Sequence, residues 1–204
     1  MKIINATKIL LMAVGLATTP MHVVAADESS PDALVKSTVN EVLAVIRQNH
    51  DQQTLRQLAE QKVLPHFDFA AMTRLAVGKA WRQASPSQQQ ALEDGFRTLL
   101  VNTYTTALSK AATGKEVVEV KPPQAGGGNE TTVKTVVTAP GEPPTAIDYR
   151  MEKTADGWKV MDVVVESVSL VTNYRSTFNE EINRSGIDGL IKVLEAKNRK
   201  LDQG

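Results

Sequence analysis

Apolar residues along this chain recur first at helical spacing, then at strand spacing, then at helical spacing again. Ser29, Ser30 and Pro31 supply hydroxyl caps and a proline for the first turn of a helix. Val35, Val39, Val42 and Ile46 follow three or four residues apart, flanked by Leu34 and Leu43, so one helix face is apolar. A short second helix is predicted over 51–62, with Leu55, Leu58 and Ala59 on one face and Pro65 ending it. Asp68 reads as the cap of a third helix that carries Phe69, Met72, Leu75 and Ala76, and Gly78 stops it. The clearest local signal is Ser85-Pro86-Ser87-Gln88, a capping box with proline at the first helical position. The helix it opens carries Leu92, Phe96, Leu99, Leu100, Thr103, Tyr104 and Leu108 on one face and ends before Gly114.

The pattern changes at Lys115. Val117, Val118 and Val120 read as a strand, ended by Pro122-Pro123 and the Gly-Gly-Gly-Asn loop at 126–129. Residues 131–138 are almost all β-branched and form a second strand. A Pro-Gly-Glu-Pro-Pro turn at 140–144 leads to a third strand over 146–153, and Asp156-Gly157 turns the chain into a fourth over 158–165. Such short connections favour an antiparallel four-stranded meander sheet. From Leu170 the chain is helical through Asn173, Tyr174, Phe178 and Ile182. Gly186 breaks this helix, and a last one carries Leu190, Ile191 and Leu194. Lys192, Lys197, Arg199 and Lys200 suit its C-terminus. Helices, then strands, then helices is an α+β order, not an alternating α/β one.

Composition narrows the function. Lys2 and Lys8, the apolar run 9–17 and Val24-Ala25-Ala26 form a secretory signal peptide over residues 1–26. Its removal leaves 178 of the 204 residues, 27–204, enough for one domain with a full core. The 21 basic and 23 acidic side chains that remain give a formal charge of −2, which argues against a nucleic-acid partner. No later segment has about 18 consecutive apolar residues, so none is a membrane span. Cysteine is absent, so the exported chain relies on packing without disulfides and has no N-terminal cysteine to lipidate.

Candidate chemistry is sparse. His50 and His66 are the histidines left after export, and neither stands in a His-x-x-x-His or Glu-x-x-His pattern, so no metal site is expected. His66, just before a helix start, reads as a surface or capping histidine. The glycine run lies between strands and is not a phosphate cradle. Asp162, between Met161 and Val163, is a candidate buried base; the alternative is a bond to a backbone amide or to Arg150 or Arg175. A small enzyme using Asp162 or His66 as its acid–base group is therefore the second reading, behind one with no catalytic residues and no cofactor.

Three stretches carry a resemblance. The first is 64–82, Leu-Pro-His-Phe-Asp-Phe-Ala-Ala-Met-Thr-Arg-Leu-Ala-Val-Gly-Lys-Ala-Trp-Arg. The second runs from Ala84 and the capping box to Phe96-Arg97-Thr98-Leu99-Leu100 and Thr103-Tyr104. The third joins Trp158-Lys159-Val160-Met161-Asp162-Val163 to Val168-Ser169-Leu170-Val171, Asn173-Tyr174-Arg175-Ser176-Thr177-Phe178 and Gly186-Ile187-Asp188-Gly189-Leu190. In order and spacing these resemble the MlaC family of periplasmic phospholipid-binding proteins, also called the toluene-tolerance family. One departure is Glu166-Ser167, where the family usually has a glycine just before the valine.

The resemblance implies a sheet with helices packed on one side around an apolar lipid pocket, related to the NTF2-like fold. It implies phospholipid as cargo, with the headgroup at the mouth, and a place in the Mla pathway that keeps the outer membrane asymmetric. The implied partners are an outer-membrane lipoprotein–porin complex and an inner-membrane ABC transporter with a substrate-binding ring. The carrier itself is expected to be monomeric. Pocket-lining residues expected from the matching stretches are Phe69, Met72, Leu75, Leu99, Leu100, Tyr104, Tyr149, Met151, Val160, Met161, Val163 and Val168. Leu170 joins Val168 at the rim. Tyr174 and Arg175 are candidates to meet the headgroup or a partner, Arg175 equally a structural salt bridge.

Overall fold

A computed structural model describes residues 30–48, 51–111 and 113–202, without the side chains of 107–111 and 202. The expected signal peptide and His50 lie outside these residues. Helix α1 spans Pro31–Gln48 and buries Val35, Leu43 and Ile46. Helix α2, Gln52–Leu58, starts where the Asp51 carboxylate accepts the amide hydrogens of Gln53 and Thr54 at 3.2 and 2.9 Å. It is shorter than its sequence suggests. A π-helical turn over Ala59–Val63 and a 3₁₀ turn over Leu64–His66 replace its last part.

Asp68 caps α3, Phe69–Val77, by accepting from the Ala71 amide at 2.7 Å. Gly78, at φ 67°, ends that helix in a conformation that side chains disfavour. A 3₁₀ turn over Gly78–Arg82 leads to α4, Pro86–Ala111. The capping box forms as the sequence indicates. Gln88 donates its amide to Ser85 Oγ at 3.2 Å, and Ser85 donates its own to Gln88 Oε1 at 2.9 Å.

The strands are β1 (Val117–Val120), β2 (Gln124–Ala125), β3 (Glu130–Thr138), β4 (Thr145–Thr154), β5 (Gly157–Val165) and β6 (Val168–Ser169). They pair antiparallel in the order β1-β3-β4-β5-β6, with β2 also on β3. The expected meander of four is therefore the body of a six-stranded open sheet, and the two added strands have two residues each. Helix α5 runs from Leu170 to Asp202 and bends at Gly186 (φ 74°), where the sequence expects a break.

Register assigns the sheet two unlike faces. Thr131, Val133 and Thr135 of β3 stand opposite Met151, Tyr149 and Ile147 of β4, and Tyr149 and Met151 stand opposite Val163 and Val160 of β5. Met161 is the extra residue of a bulge opposite Arg150 and Met151. The other face carries Thr132, Lys134, Asp148, Arg150 and Glu152, all partly or fully exposed.

Two apolar clusters result. One joins α3, α4 and α5 through Phe69, Met72, Leu92, Phe96, Leu99, Leu100, Phe178 and Leu194, with Phe96 edge-on to Tyr174 and Phe178 at 5.0 and 5.1 Å. The other joins Val35 of α1 to Val133, Met151 and Val160 on the inner sheet face. Phe67 packs against both.

Candidate functional site

The candidate site is the seam between these clusters. Around Phe67 the seam is tightly closed. The Asp68 amide donates to Val160 O at 2.9 Å, Lys159 Nζ reaches Pro65 O at 2.6 Å, and Phe67 stacks on Phe69 with ring centres 5.8 Å apart. Val133, Met151 and Val160 are buried here.

Farther along the same strands, cover is lost. On β4 the inner face passes from buried Met151 to half-buried Tyr149 and Ile147. On β5 it passes from Val160 through half-buried Val163 to Val165, which is 38% exposed. Val168, opposite Val165 across the β5–β6 turn, is 61% exposed. The start of β1, the end of β3, the start of β4 and the start of α5 lie at this same end of the sheet. The chain reaches it from the C-terminal half of α4, which carries Tyr104, 46% exposed. Val165 and Val168, with Tyr104 on α4, form an open rim at this end of the seam, and Val117 at the start of β1 is also exposed there, on the other face of the sheet.

Two phenols stand at that rim. Burial pushes the Tyr104 phenol up, and the nearby Tyr174 adds to the shift. Burial also raises Tyr174, opposed by its hydrogen bond with Thr103. Tyr149 sits deeper on the sheet side. Desolvation raises its phenol strongly enough to outweigh the hydrogen bond with Thr135.

The expected lining residues separate by environment. Phe69, Met72, Leu99 and Leu100 are buried in the helical cluster, with Leu75, Leu170 and Tyr174 packed on it. Tyr149, Met151, Val160 and Val163 belong to the sheet cluster. Met161 is buried outside both. Tyr104 and Val168 are at the rim. Two residues outside the expected set complete the arrangement: Phe67, which joins the layers, and Val165, which pairs with Val168. The alternation of β5 already points Val165 to the same face as Val163, and this was the available signal.

The turn between Val165 and Val168 holds the departure seen in the sequence. Glu166 and Ser167 have φ of 47° and 71°, and among the described residues they are the two non-glycine residues at positive φ. A glycine would adopt this turn without the Cβ clash that a side chain brings.

The candidate acid–base groups have structural partners. Asp162, 1% exposed, accepts from Ser169 Oγ at 2.7 Å and from the Val171 amide at 3.1 Å, and faces Arg150 at 3.6 Å. Ser169 Oγ in turn accepts from the Thr172 amide at 3.0 Å, so the two side chains together cap α5. His66 is half-buried in the 3₁₀ turn. Burial lowers its pKa, Lys159 lowers it further, and Glu41 opposes both. No group of three or more possible metal ligands occurs among the described residues, and no described helix is long and apolar enough to cross a membrane.

Two clefts of about 350 Å³ each open among the helical segments. One, beside α2 and α4, is lined by Arg56, Glu60, Asp94 and Arg97. The other lies between the Gly78–Arg82 turn and α5.

An antiparallel sheet whose apolar face is covered by helices, closed at one end and rimmed with bare apolar side chains at the other, defines an α+β protein built around an apolar seam. Its sequence places it more narrowly. The family model described as MlaC protein matches residues 36–196, and the chain belongs to that family. The phospholipid-binding protein from Ralstonia solanacearum, solved in complex with a phospholipid, is 37% identical with a TM-score of 0.75, over 84% of this chain and 98% of that one. The toluene tolerance protein ttg2D of Pseudomonas putida is 26% identical over 179 residues, 85% of this chain and 81% of that protein. The intermembrane phospholipid transport system binding protein MlaC of Haemophilus influenzae is 23% identical over 176 residues, 82% of each.

Proposed function

We propose that residues 27–204, exported through the signal peptide at 1–26, are a monomeric periplasmic phospholipid carrier. It moves lipid between the outer and inner membranes within the Mla pathway and so maintains outer-membrane asymmetry. Its partners are an outer-membrane lipoprotein–porin complex and an inner-membrane ABC transporter with a substrate-binding ring. The observation that carries this reading is the loss of cover along the inner sheet face, from buried Met151 and Val160 to exposed Val165 and Val168. A phospholipid-bound relative of the same fold supports the choice of ligand.

The physics explains why a carrier takes this form. Two acyl chains of about 16 carbons hold roughly 30 methylenes, and at about 0.8 kcal/mol each they keep a lipid in its bilayer by on the order of 20 kcal/mol. A protein interior of similar apolarity makes the transfer nearly neutral and reversible. Direction then comes from the partners. Because Met72, Val133 and Met151 are closely packed, the helical layer and the sheet part to admit the tails, starting from the rim where least cover is lost.

The test is chemical. Protein purified from its native compartment is extracted with organic solvent and the extract analysed by mass spectrometry. Phospholipid in near-stoichiometric amount is expected. Protein that comes out without lipid and takes none from liposomes overturns the reading.

A further inference from the structure

The second cleft carries a separate inference. Its walls hold two cations, Lys79 from the 3₁₀ turn and Arg175 from α5, and three side-chain amides, Gln83, Asn179 and Asn183. Its apolar floor is Ala80 and Ile182, which also pack on the helical cluster. No carboxylate lines it, although acidic side chains outnumber basic ones in residues 27–204. Among the described residues neither Lys79 nor Arg175 makes an ion pair. The salt bridge open to Arg175 from sequence is therefore not formed.

The Arg175 guanidinium also lies against Gly78. A Cβ on Gly78 would lie 3.3 Å from Arg175 Nε and 3.4 Å from Nη2, so the guanidinium rests directly over the glycine. Gly78 thus meets two demands: its φ of 67° ends α3, and its missing side chain makes room for the guanidinium. A guanidinium offers two parallel N–H donors to a tetrahedral oxyanion, an ammonium adds a point charge, and the amides supply neutral donors. A compact site of this make-up suits a single phosphate group better than an extended acidic peptide.

We propose that this cleft binds a phosphate group, either the free anion or the phosphodiester of an anionic lipid headgroup at a bilayer surface. Arg175 stands five residues into α5, about 8 Å along the axis from Leu170 at the rim. A headgroup bound there would hold the open end of the seam close to the membrane. The inference stands apart from the cargo reading, because the occupancy of the cleft is measured without cargo.

The experiment titrates inorganic phosphate into the full mature protein by calorimetry, and separately co-sediments the protein with phosphatidylglycerol or phosphatidylcholine vesicles. Saturable phosphate binding is expected, weakened about tenfold or more by R175Q and by K79Q. The double variant K192Q/K200Q, which removes two charges near the other end of α5, is expected to bind like the parent. Circular dichroism checks that each variant is folded, and exposed K79Q is the safer of the two. Retention on phosphatidylglycerol vesicles that R175Q abolishes identifies the headgroup as the source; phosphate binding with vesicle retention unchanged by R175Q identifies the free anion. Absence of saturable binding to both phosphate and vesicles, or equal loss in K192Q/K200Q, overturns the proposal.

Discussion

Where Phe67 joins the layers, the inner face of the sheet is sealed. Val133, Met151 and Val160 are buried against α1 and the segment that enters α3. Farther along β5 and on the adjoining β6, side chains of the same type stand in water, Val165 at 38% and Val168 at 61% exposure. Valines stand at both ends of this face, so residue type by itself does not distinguish them. Cover does. At one end Phe67 of the 64–68 segment bridges to Val160 of β5, whereas at the other, among the described residues, Val165 and Val168 stay exposed. Valine at the sealed end holds the fold together, and valine at the rim is available to a ligand.

The strongest way to break this comparison is to place the same charge at each end. V133E buries a carboxylate beside Met151 with no partner, and circular dichroism should find no cooperatively folded protein. V168E leaves its carboxylate in water and should change stability by less than about 0.5 kcal/mol. It should nevertheless abolish lipid uptake from liposomes, since the charge sits where tails enter. Uptake at the parental level would remove Val168 from the rim. Truncation gives a gentler version: M151A should cost about 2–5 kcal/mol in denaturant unfolding, and V165A less than about 1 kcal/mol. Equal costs would mean that the two ends are covered alike.

The turn at the rim sharpens the contrast. S167G, which relieves a side chain at φ 71°, should stabilise the protein by about 0.5–1 kcal/mol. An unchanged denaturation midpoint would show that the turn holds no strain. The smallest effect belongs to the sealed end. Burial and Lys159 depress the folded pKa of His66 below its ordinary 6.5, so folding favours the neutral ring. Its stabilising contribution is present above pH 6.5 and is lost as pH falls through the lower folded value. H66Q should remove that part of the acid-side slope. Superimposable slopes for parent and variant would count against it.

Much of the helical framework was legible because its signals are local. Asp51 and Asp68 cap α2 and α3, Ser85 and Gln88 exchange hydrogen bonds, and Gly78 and Gly186 fall where helices stop or bend. Each depends on a side chain meeting a backbone group a few residues away. The long strands were legible for the same reason. Strands β2 and β6 were not, because two residues are too few to show a period and are fixed by their partners. The π-helical turn at Ala59–Val63 also departs from a plain helical reading. The displaced family glycine was visible as Glu166-Ser167, and the positive φ values there give that departure its physical content.

Sequence by itself marked the apolar positions of helices and strands, since their periods require only neighbours along the chain, but the bulge at Met161 is what brings Val160 and Val163 to one face. It also offered, beside a buried base, a reading of Asp162 as bonded to a backbone amide or to Arg150 or Arg175, and the structure supplies the Val171 amide and Arg150. Whether an inward valine is sealed core or open rim was decided only by tertiary structure. Burial is set by what another part of the chain lays across that face: Phe67 and α1 cover Val133, Met151 and Val160, while Val165 and Val168 stay exposed. The cleft of Lys79 and Arg175 is likewise a product of assembly, in which a guanidinium from α5 comes to rest on a glycine that ends α3.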